Sequence, residues 1–260
     1  MKTETVILDP ARPDVTLTSY ILPGCRPAML VLPGGGFYAL ASHEGDPFAI
    51  RFMAEGFNAF VLNYSIGKPK SFFPRPLTDV SAAIVHIREN AEKYCIDPDK
   101  LFVIGSSAGG YLAGAIGAMW HCDFAKSSPD MEYGANRPNG VILTYGVVST
   151  REDIRCFCFD NLVTEEYGEQ AVSLERYVDE KSAPAFIWHS FPDECVDPRN
   201  ALVLADSYVR AKVPCELHLY SDGAHGIGLG VPGEGNSEFY PRAHRWADEA
   251  AEWALGLYVA

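Results

Sequence analysis

One serine in this sequence lies in a pattern that suits a nucleophile. The pentapeptide Gly105-Ser106-Ser107-Ala108-Gly109 follows a short apolar run and precedes a run of small residues with helical character. A serine on so sharp a strand-to-helix turn needs small neighbours two residues to either side, because a Cβ atom there would clash. At the helix N-terminus, the helix dipole favours a developing negative charge. The pattern predicts that Ser107 is a nucleophile; the alternative is a glycine-rich turn that packs a helix close to a sheet.

A serine hydroxyl at its free pKa is a weak nucleophile and needs an adjacent base. His225 is the candidate, because it directly follows the last apolar run and lies between Gly223 and Gly226, which let a loop carry the imidazole over the sheet. The other histidines considered fit less well, since they lie inside a strand, in a helical stripe or away from strand ends: His43, His86, His121, His218 and His244. We therefore predict that His225 is the general base.

The imidazole in turn needs a carboxylate that fixes its tautomer and stabilises the imidazolium. Asp193 lies just past the apolar run 184–190 and is the preferred candidate. Glu194, Asp197 and Asp222 compete with it. Asp197 also suits a helix cap, because a proline follows it where a helix would begin.

Three consecutive glycines, Gly34 to Gly36, directly follow the apolar run 28–32. They let backbone N–H groups approach a ligand closely, and two such donors aimed at one point stabilise a tetrahedral oxyanion. We expect Gly35 and Gly36, with the N–H group of Ala108, to form such a hole, and the pattern leaves open which glycine donates. A plain tight turn would not need three glycines.

The elements that must position these residues are apolar runs alternating with helical patterns. The alternating run 15–22 predicts an edge or antiparallel strand, and continuous apolar runs predict strands buried on both faces. The continuous runs are 28–32, 58–64, 100–105, 140–146, 184–190 and 215–221, and the helical patterns are 46–55, 77–94, 108–120, 199–212 and 238–257. This order predicts an α/β fold with a mostly parallel sheet and helices on both faces. We expect one domain over 1–260, in which the least periodic stretch, 147–182, crosses the top of the sheet as a partial lid at most.

Composition narrows the function classes. The net charge is −13, from 34 acidic and 21 basic residues, so we expect no nucleic-acid or membrane partner and a small, weakly charged substrate. We expect no signal peptide, because residues 1–14 contain no apolar core of the required length, and no apolar run is long enough to span a membrane. The seven cysteines are odd in number and show no Cys-x-x-Cys spacing, which argues against a disulfide framework or a zinc site. We expect a cytoplasmic protein without a metal.

Four ordered motifs carry a family resemblance: PGGGFY (33–38), GSSAGG (105–110), HSFPDECV (189–196) and DGAHG (222–226). With them, residues 28–257 resemble the acetyl esterase and carbohydrate-deacetylase branch of the α/β hydrolases, related to the hormone-sensitive-lipase-like esterases. The resemblance implies an eight-stranded, mostly parallel sheet, a metal-independent Ser-Asp-His triad and, as a further expectation, a homodimer. Two departures weaken a lipase assignment: Pro33 replaces the histidine of the lipase-type glycine motif, and the N-terminal cap is absent. Pro192 stands where relatives often have a second aspartate.

Together the motifs predict a serine carboxylesterase that hydrolyses short acyl esters, chiefly acetyl esters and including those of acetylated sugars, without a cofactor. Two alternatives stay open: an amide hydrolase of the same fold, such as an arylformamidase or a small peptidase, and a non-catalytic ligand-binding relative. The natural acyl donor and alcohol do not follow from the sequence. Five aromatic residues near strand ends are candidates for either pocket or core: Phe37, Tyr38, Phe72, Phe73 and Tyr145.

Overall fold

The computed structural model describes residues 1–233 and 237–257, and its centre is an eight-stranded sheet of order β1-β2-β4-β3-β5-β6-β7-β8. The strands are β1 (Lys2–Ile7), β2 (Thr16–Ile21), β3 (Arg26–Leu32), β4 (Asn58–Asn63), β5 (Ile96–Ser106), β6 (Gly140–Thr144), β7 (Ala185–Ser190) and β8 (Cys215–Tyr220). Pairing is antiparallel from β1 to β2 and from β2 to β4, and parallel across the rest of the sheet. The predicted mostly parallel sheet of eight strands is confirmed.

Five α-helices cover the two faces of the sheet in the part of the chain that the structure describes. They are α1 (Asp46–Ala54), α2 (Arg75–Glu89), α3 (Ala108–Met119), α4 (Arg199–Ala211) and α5 (Trp246–Gly256). Each face of the sheet has its own hydrophobic core, and the residues of β3 alternate between the two. Leu30 and Leu32 pack in one core with α2, α3 and α4, while Met29 and Val31 pack in the other with α1 and α5. Side chains alternate across a strand, so a strand covered on both faces needs apolar residues at every position.

Two predicted helices differ from those observed. The last helix was expected from residue 238 but begins at Trp246, after a short 3-10 helix, Ala243–Arg245. Pro241 explains the late start, because a proline disfavours helical backbone in the residue before it. The amides of Arg242 and Ala243 instead donate to the Asp222 carboxylate, each at 2.9 Å.

Helix α2 was expected to reach residue 94 but ends at Glu89. The next residue, Asn90, donates its side-chain amide to the His86 carbonyl at 2.8 Å. Asparagine competes with the backbone for such bonds, which favours a helix end there.

Residues 147–182 contain neither an α-helix nor a strand. The segment is built from loops and three short 3-10 helices, Phe157–Asn161, Glu169–Ala171 and Leu174–Arg176. It is nevertheless anchored, because Phe159 and Leu174 are buried in the same core as α3. The side-chain oxygen of Asn200, in α4, accepts the amides of Val148 and Ser149 at 3.0 Å. Within the described residues, none of the helices is long and apolar enough to span a bilayer.

Candidate active site

Ser107 lies alone between the end of β5 and the start of α3, with φ at 52° and ψ at −115°. A positive φ in a residue other than glycine is strained and persists only where the surroundings impose it. The surroundings here are tight: a Cβ atom at Gly105 would lie 2.0 Å from the Gly109 carbonyl oxygen, and one at Gly109 would lie 2.0 Å from the Leu32 carbonyl oxygen. Gly105 lets the end of β5 pack against the first turn of α3, and Gly109 lets that turn pack against the end of β3, as the pentapeptide pattern suggested.

The hydroxyl of Ser107 is within bonding distance of the predicted base. Its Oγ atom lies 2.9 Å from Nε2 of His225, whose Nδ1 atom lies 2.8 Å from Oδ2 of Asp193. The structure thus brings Ser107, His225 and Asp193 together in one chain of hydrogen bonds. Of the competing carboxylates, Asp197 accepts the backbone amide and guanidinium of Arg199, which fits its alternative as a helix cap.

Asp193 is held by several donors at the end of β7. Its Oδ1 accepts the amides of Cys195 and Val196 at 2.9 and 3.0 Å, and its Oδ2 accepts from His225 and from His189. Burial alone would raise the pKa of this carboxyl, but the bonds from the two histidines and the charge of His225 hold it well below its usual range. Asp193 is therefore ionised at neutral pH.

The loop that carries His225 is tied down on several sides. His43 donates through Nε2 to the Gly226 carbonyl at 3.0 Å, and Trp246 donates through Nε1 to the Gly228 carbonyl at 3.0 Å. The ring of Tyr145 packs edge-on against the imidazole, with centroids 5.3 Å apart. These contacts fix the height of the imidazole above Ser107.

The glycine loop after β3 and the residues Ser107 and His225 line one cavity. Gly35 has φ at +123°, and a Cβ atom there would lie 2.3 Å from the Ala39 carbonyl oxygen, so only glycine fits. The amides of Gly35, Gly36 and Ala108 donate no hydrogen bond to another residue in the described ranges. Ala108 is the first residue of α3, where an N–H group has no partner within the helix. The role of these three amides as an oxyanion hole stays a prediction.

The sequence did not predict a role for Glu44, but its carboxylate binds the backbone of the glycine loop. Its Oε2 accepts the Gly34 amide at 2.8 Å, and its Oε1 accepts the Tyr145 hydroxyl at 2.7 Å. Glu44 is almost fully buried and lines the cavity beside Ser107. A charged residue just before an apolar helix is an ordinary feature of sequences, so no signal distinguished it.

The cavity above Ser107 and His225 has a volume of about 220 Å³. Two exposed aromatic residues, Tyr38 and Phe157, stand in its wall. Of the five aromatic candidates, only Tyr38 lines it; Phe37, Phe73 and Tyr145 are core residues, and Phe72 is not in the lining.

Three cysteines, Cys156, Cys158 and Cys195, also line the cavity. A hydrogen bond from the Cys158 thiol lowers the pKa of the Cys156 thiol to about 7, against the opposite effect of burial, and the charge of His225 adds to the lowering. The spacing of the cysteines along the sequence did not place them at the site.

Comparison with known proteins assigns the family. The BD-FAE family model matches residues 22–208. Endo-1,4-beta-xylanase B of Butyrivibrio fibrisolvens is 35% identical over 222 residues, which are 83% of this chain and 34% of that protein. Acetylxylan esterase of Xylanibacter ruminicola is 29% identical over 217 residues, which are 78% of this chain and 42% of that protein. The chain therefore spans between a third and a half of the length of these curated relatives.

A solved structure covers nearly the whole chain. The acetyl ester-xyloside bifunctional hydrolase from Caldicellulosiruptor lactoaceticus is 30% identical, with a TM-score of 0.81 over 96% of this chain and 90% of that one. The sheet order and the strand-turn-helix at Ser107 are those of an α/β hydrolase. With most of its length matched by the family model, the chain belongs to the BD-FAE family of α/β hydrolases.

Proposed function

We propose that this chain is a serine carboxylesterase that hydrolyses short acyl esters, with acetyl groups on carbohydrates as the main substrate class. One observation carries the proposal: Ser107 Oγ, His225 and Asp193 form a continuous relay, with contacts of 2.9 and 2.8 Å, at the floor of an open cavity. The names of the acetylxylan esterase and of the acetyl ester-xyloside hydrolase support the choice of acetyl esters.

In the first half of the reaction, His225 takes the proton of Ser107 through Nε2 while Oγ attacks the ester carbonyl carbon. The carbonyl oxygen gains a negative charge, which the amides of Gly35 or Gly36 and of Ala108 stabilise. Asp193 remains ionised and stabilises the imidazolium. The tetrahedral intermediate then collapses, and the alcohol leaves with the proton that His225 returns.

In the second half, His225 takes a proton from a water molecule, which attacks the acyl-enzyme carbonyl. The same amides stabilise the second oxyanion. Collapse of this intermediate releases the carboxylic acid, and the proton returns from His225 to Ser107 Oγ. No metal or cofactor is needed in either half.

The cavity supports a short acyl group. Its volume of about 220 Å³ accommodates an acetyl group with its carbonyl, and the names of the acetylxylan esterase and the acetyl ester-xyloside hydrolase support a short acyl chain. The alcohol then lies at the mouth, where the rings of Tyr38 and Phe157 are exposed. A net charge of −13 favours an uncharged alcohol such as a sugar and disfavours polyanionic partners.

The wider setting is also part of the proposal. We place the protein in the cytoplasm because its seven cysteines are odd in number and lack disulfide-type spacing. We treat 1–260 as one α/β-hydrolase domain, in which 147–182 acts as a partial lid because Cys156, Phe157 and Cys158 from it line the cavity. A homodimer is proposed from the family resemblance.

The test is a substrate panel run on the wild-type protein and on Ser107→Ala. We expect acetylated xylo-oligosaccharides and p-nitrophenyl acetate to be turned over, rates to fall from butyrate to octanoate esters, and a fluorophosphonate probe to label Ser107. A strong preference for aryl formamides would reassign the protein as an amide hydrolase. Absence of labelling in the folded protein would indicate a non-catalytic ligand-binding relative.

A further inference from the structure

His189 makes a contact that the proposed reaction does not use. It lies in β7, is fully buried, and places Nε2 3.0 Å from Asp193 Oδ2 and 2.9 Å from the Val196 carbonyl oxygen. A carbonyl oxygen only accepts, and the ionised carboxylate also only accepts. Nε2 therefore carries the proton and donates to both oxygens, which fixes the tautomer of His189.

The carboxylate oxygen that His189 contacts is the one that faces the base. Oδ2 of Asp193 accepts from His225 Nδ1 at 2.8 Å as well as from His189, while Oδ1 accepts two backbone amides. Without His189, Oδ2 would have His225 as its single partner among the described residues. The carboxylate would then lose the donor that orients Oδ2 from the side of the strand.

The opposite nitrogen of His189 indicates that the ring is neutral. Nδ1 is buried and has no hydrogen-bond partner among residues 1–233 and 237–257. A proton on Nδ1 would place a positive charge in the core with no acceptor beside it, which is costly. The negative charge of Asp193 also already interacts with His225, so it compensates a second positive charge on His189 less well. A neutral donor orients the carboxylate without drawing its charge away from the imidazolium, as a lysine or arginine would.

We propose that His189 is a positioning residue of the Ser107-His225-Asp193 relay, holding Oδ2 of Asp193 toward His225 with a neutral N–H group. The proposal rests on the proposed esterase function. It accounts for a histidine in a buried strand where an apolar residue would pack equally well.

The first test compares His189→Phe with His189→Gln. Glutamine places an amide near the position of Nε2 with two N–H groups for the same two acceptors, whereas phenylalanine fills the space without a donor. We expect His189→Phe to lower kcat for p-nitrophenyl acetate about 10- to 100-fold with KM changed less than about twofold. The acidic limb of the kcat/KM profile should move down by about half a pH unit, because a carboxylate that is no longer held toward His225 stabilises the imidazolium less.

Glutamine should restore kcat to within about threefold of wild type and return the acidic limb to its wild-type position. The matched control is Phe186→Leu, a buried change in the same strand, which should lower the melting temperature without moving the profile. If His189→Gln is as impaired as His189→Phe, or if His189→Phe keeps the wild-type profile, the positioning role is wrong.

A second measurement needs no variant. In wild-type protein labelled with ¹⁵N-histidine, His189 should be the neutral tautomer with its proton on Nε2 at neutral pH. A proton on Nδ1 of His189, alone or in addition to one on Nε2, would overturn the proposal even if the variants fail to fold. If wild-type protein shows neither ester turnover nor labelling of Ser107, the esterase function fails, and the tautomer measurement still decides whether His189 holds Asp193.

Discussion

The cavity has two walls built in different ways. The first comprises the glycine loop and the nucleophile turn: Gly35, Gly36 and Ser107 line the cavity, and the amide of Ala108 follows Ser107 at the start of α3. The second is formed by the segment 147–182, and it presents the side chains of Cys156, Phe157 and Cys158. Neither type of wall could replace the other, because amides offer hydrogen bonds independent of side-chain identity while side chains offer shape and reactivity.

The difference separates chemistry from selection. In the backbone wall, a Cβ atom at Gly35, Gly105 or Gly109 would meet a carbonyl oxygen at 2.0 to 2.3 Å, so the sequence there has almost no freedom. In the segment 147–182, Gly168, which lies away from the cavity lining, has nothing within 4 Å of the position of a Cβ atom. We infer that the backbone wall carries the acyl-transfer chemistry and that the side-chain wall adjusts which esters enter.

The largest expected effect is that of Ser107→Ala. Removing Oγ abolishes the covalent path and leaves only the oxyanion donors, so kcat should fall at least about 1,000-fold with little change in melting temperature. Steady-state rates on p-nitrophenyl acetate and a thermal melt check this. A Ser106→Ala variant is the control, since Ser106 bonds to Thr144 and not to His225. Comparable losses in both variants would contradict the assignment.

The second prediction compares a glycine of the nucleophile turn with a glycine of the segment 147–182. Gly109→Ala places a methyl group 2.0 Å from the Leu32 carbonyl oxygen and should cost about 3 kcal/mol or more of unfolding free energy, with loss of probe labelling at Ser107. Gly168→Ala meets no atom and has an ordinary backbone conformation, so it should leave activity unchanged and stability the same or slightly higher. Denaturant unfolding of both variants measures the contrast. Equal stability of the two would show that the turn relaxes.

The same contacts explain which parts of the fold and the site could be predicted from the sequence. The strands were predictable because burial on both faces requires continuous apolar runs, and Ser107 was predictable because its turn needs Gly105 and Gly109. Their positions after apolar runs made Asp193 and His225 candidates, but position alone did not separate Asp193 from Glu194 or Asp197.

The supporting residues were not predictable in the same way. His189 and Glu44 act through the direction of a side chain across a packed interface, which spacing along the chain does not encode. The cysteines of 147–182 reach the cavity through irregular loops, where no periodicity indicates which side chains face inward. Residues with a local sequence pattern could thus be predicted, whereas contacts between loops that are distant in sequence could not.

Glu44→Gln weakens the backbone wall from below. The carboxylate accepts both the Gly34 amide and the Tyr145 hydroxyl, and a glutamine offers one acceptor and an opposing N–H group. We expect kcat to fall about tenfold, because the glycine loop loses one of its fixed ends, with a smaller change in KM. Tyr145→Phe keeps the bond from Gly34 to Glu44 and should lose less, although it removes both the bond to Glu44 and the acceptor of the Gly228 amide at 3.2 Å. A larger loss in Tyr145→Phe would place the effect at His225, against which Tyr145 packs.

The thiols of the side-chain wall give a pH-dependent prediction. The thiolate is the reactive form, and the pKa of Cys156 is lowered to about 7, so its alkylation by iodoacetamide should be about tenfold faster at pH 8 than at pH 6. Esterase activity should fall in parallel, and Cys156→Ser should keep its activity. Cys158→Ala removes the thiol that donates to Cys156 and should move the midpoint to higher pH. Mass spectrometry identifies the modified site; inactivation that persists in Cys156→Ser would assign it elsewhere.

The smallest expected effect concerns the alcohol at the mouth of the cavity. Phe157 is 63% exposed and lines the cavity, whereas Phe191 is 65% exposed and does not. If a sugar ring stacks on the side-chain wall, Phe157→Ala should raise KM for acetylated xylo-oligosaccharides about 3- to 10-fold, as loss of a stacking contact of about 1 kcal/mol implies. KM for p-nitrophenyl acetate and kcat for both substrates should change less than about twofold, because the acyl group lies against the backbone wall. The control variant Phe191→Ala should change KM for neither substrate. An equal rise in KM for both substrates in Phe157→Ala would mean that the side-chain wall contacts the acyl group. The two walls would then not divide acyl transfer from substrate selection.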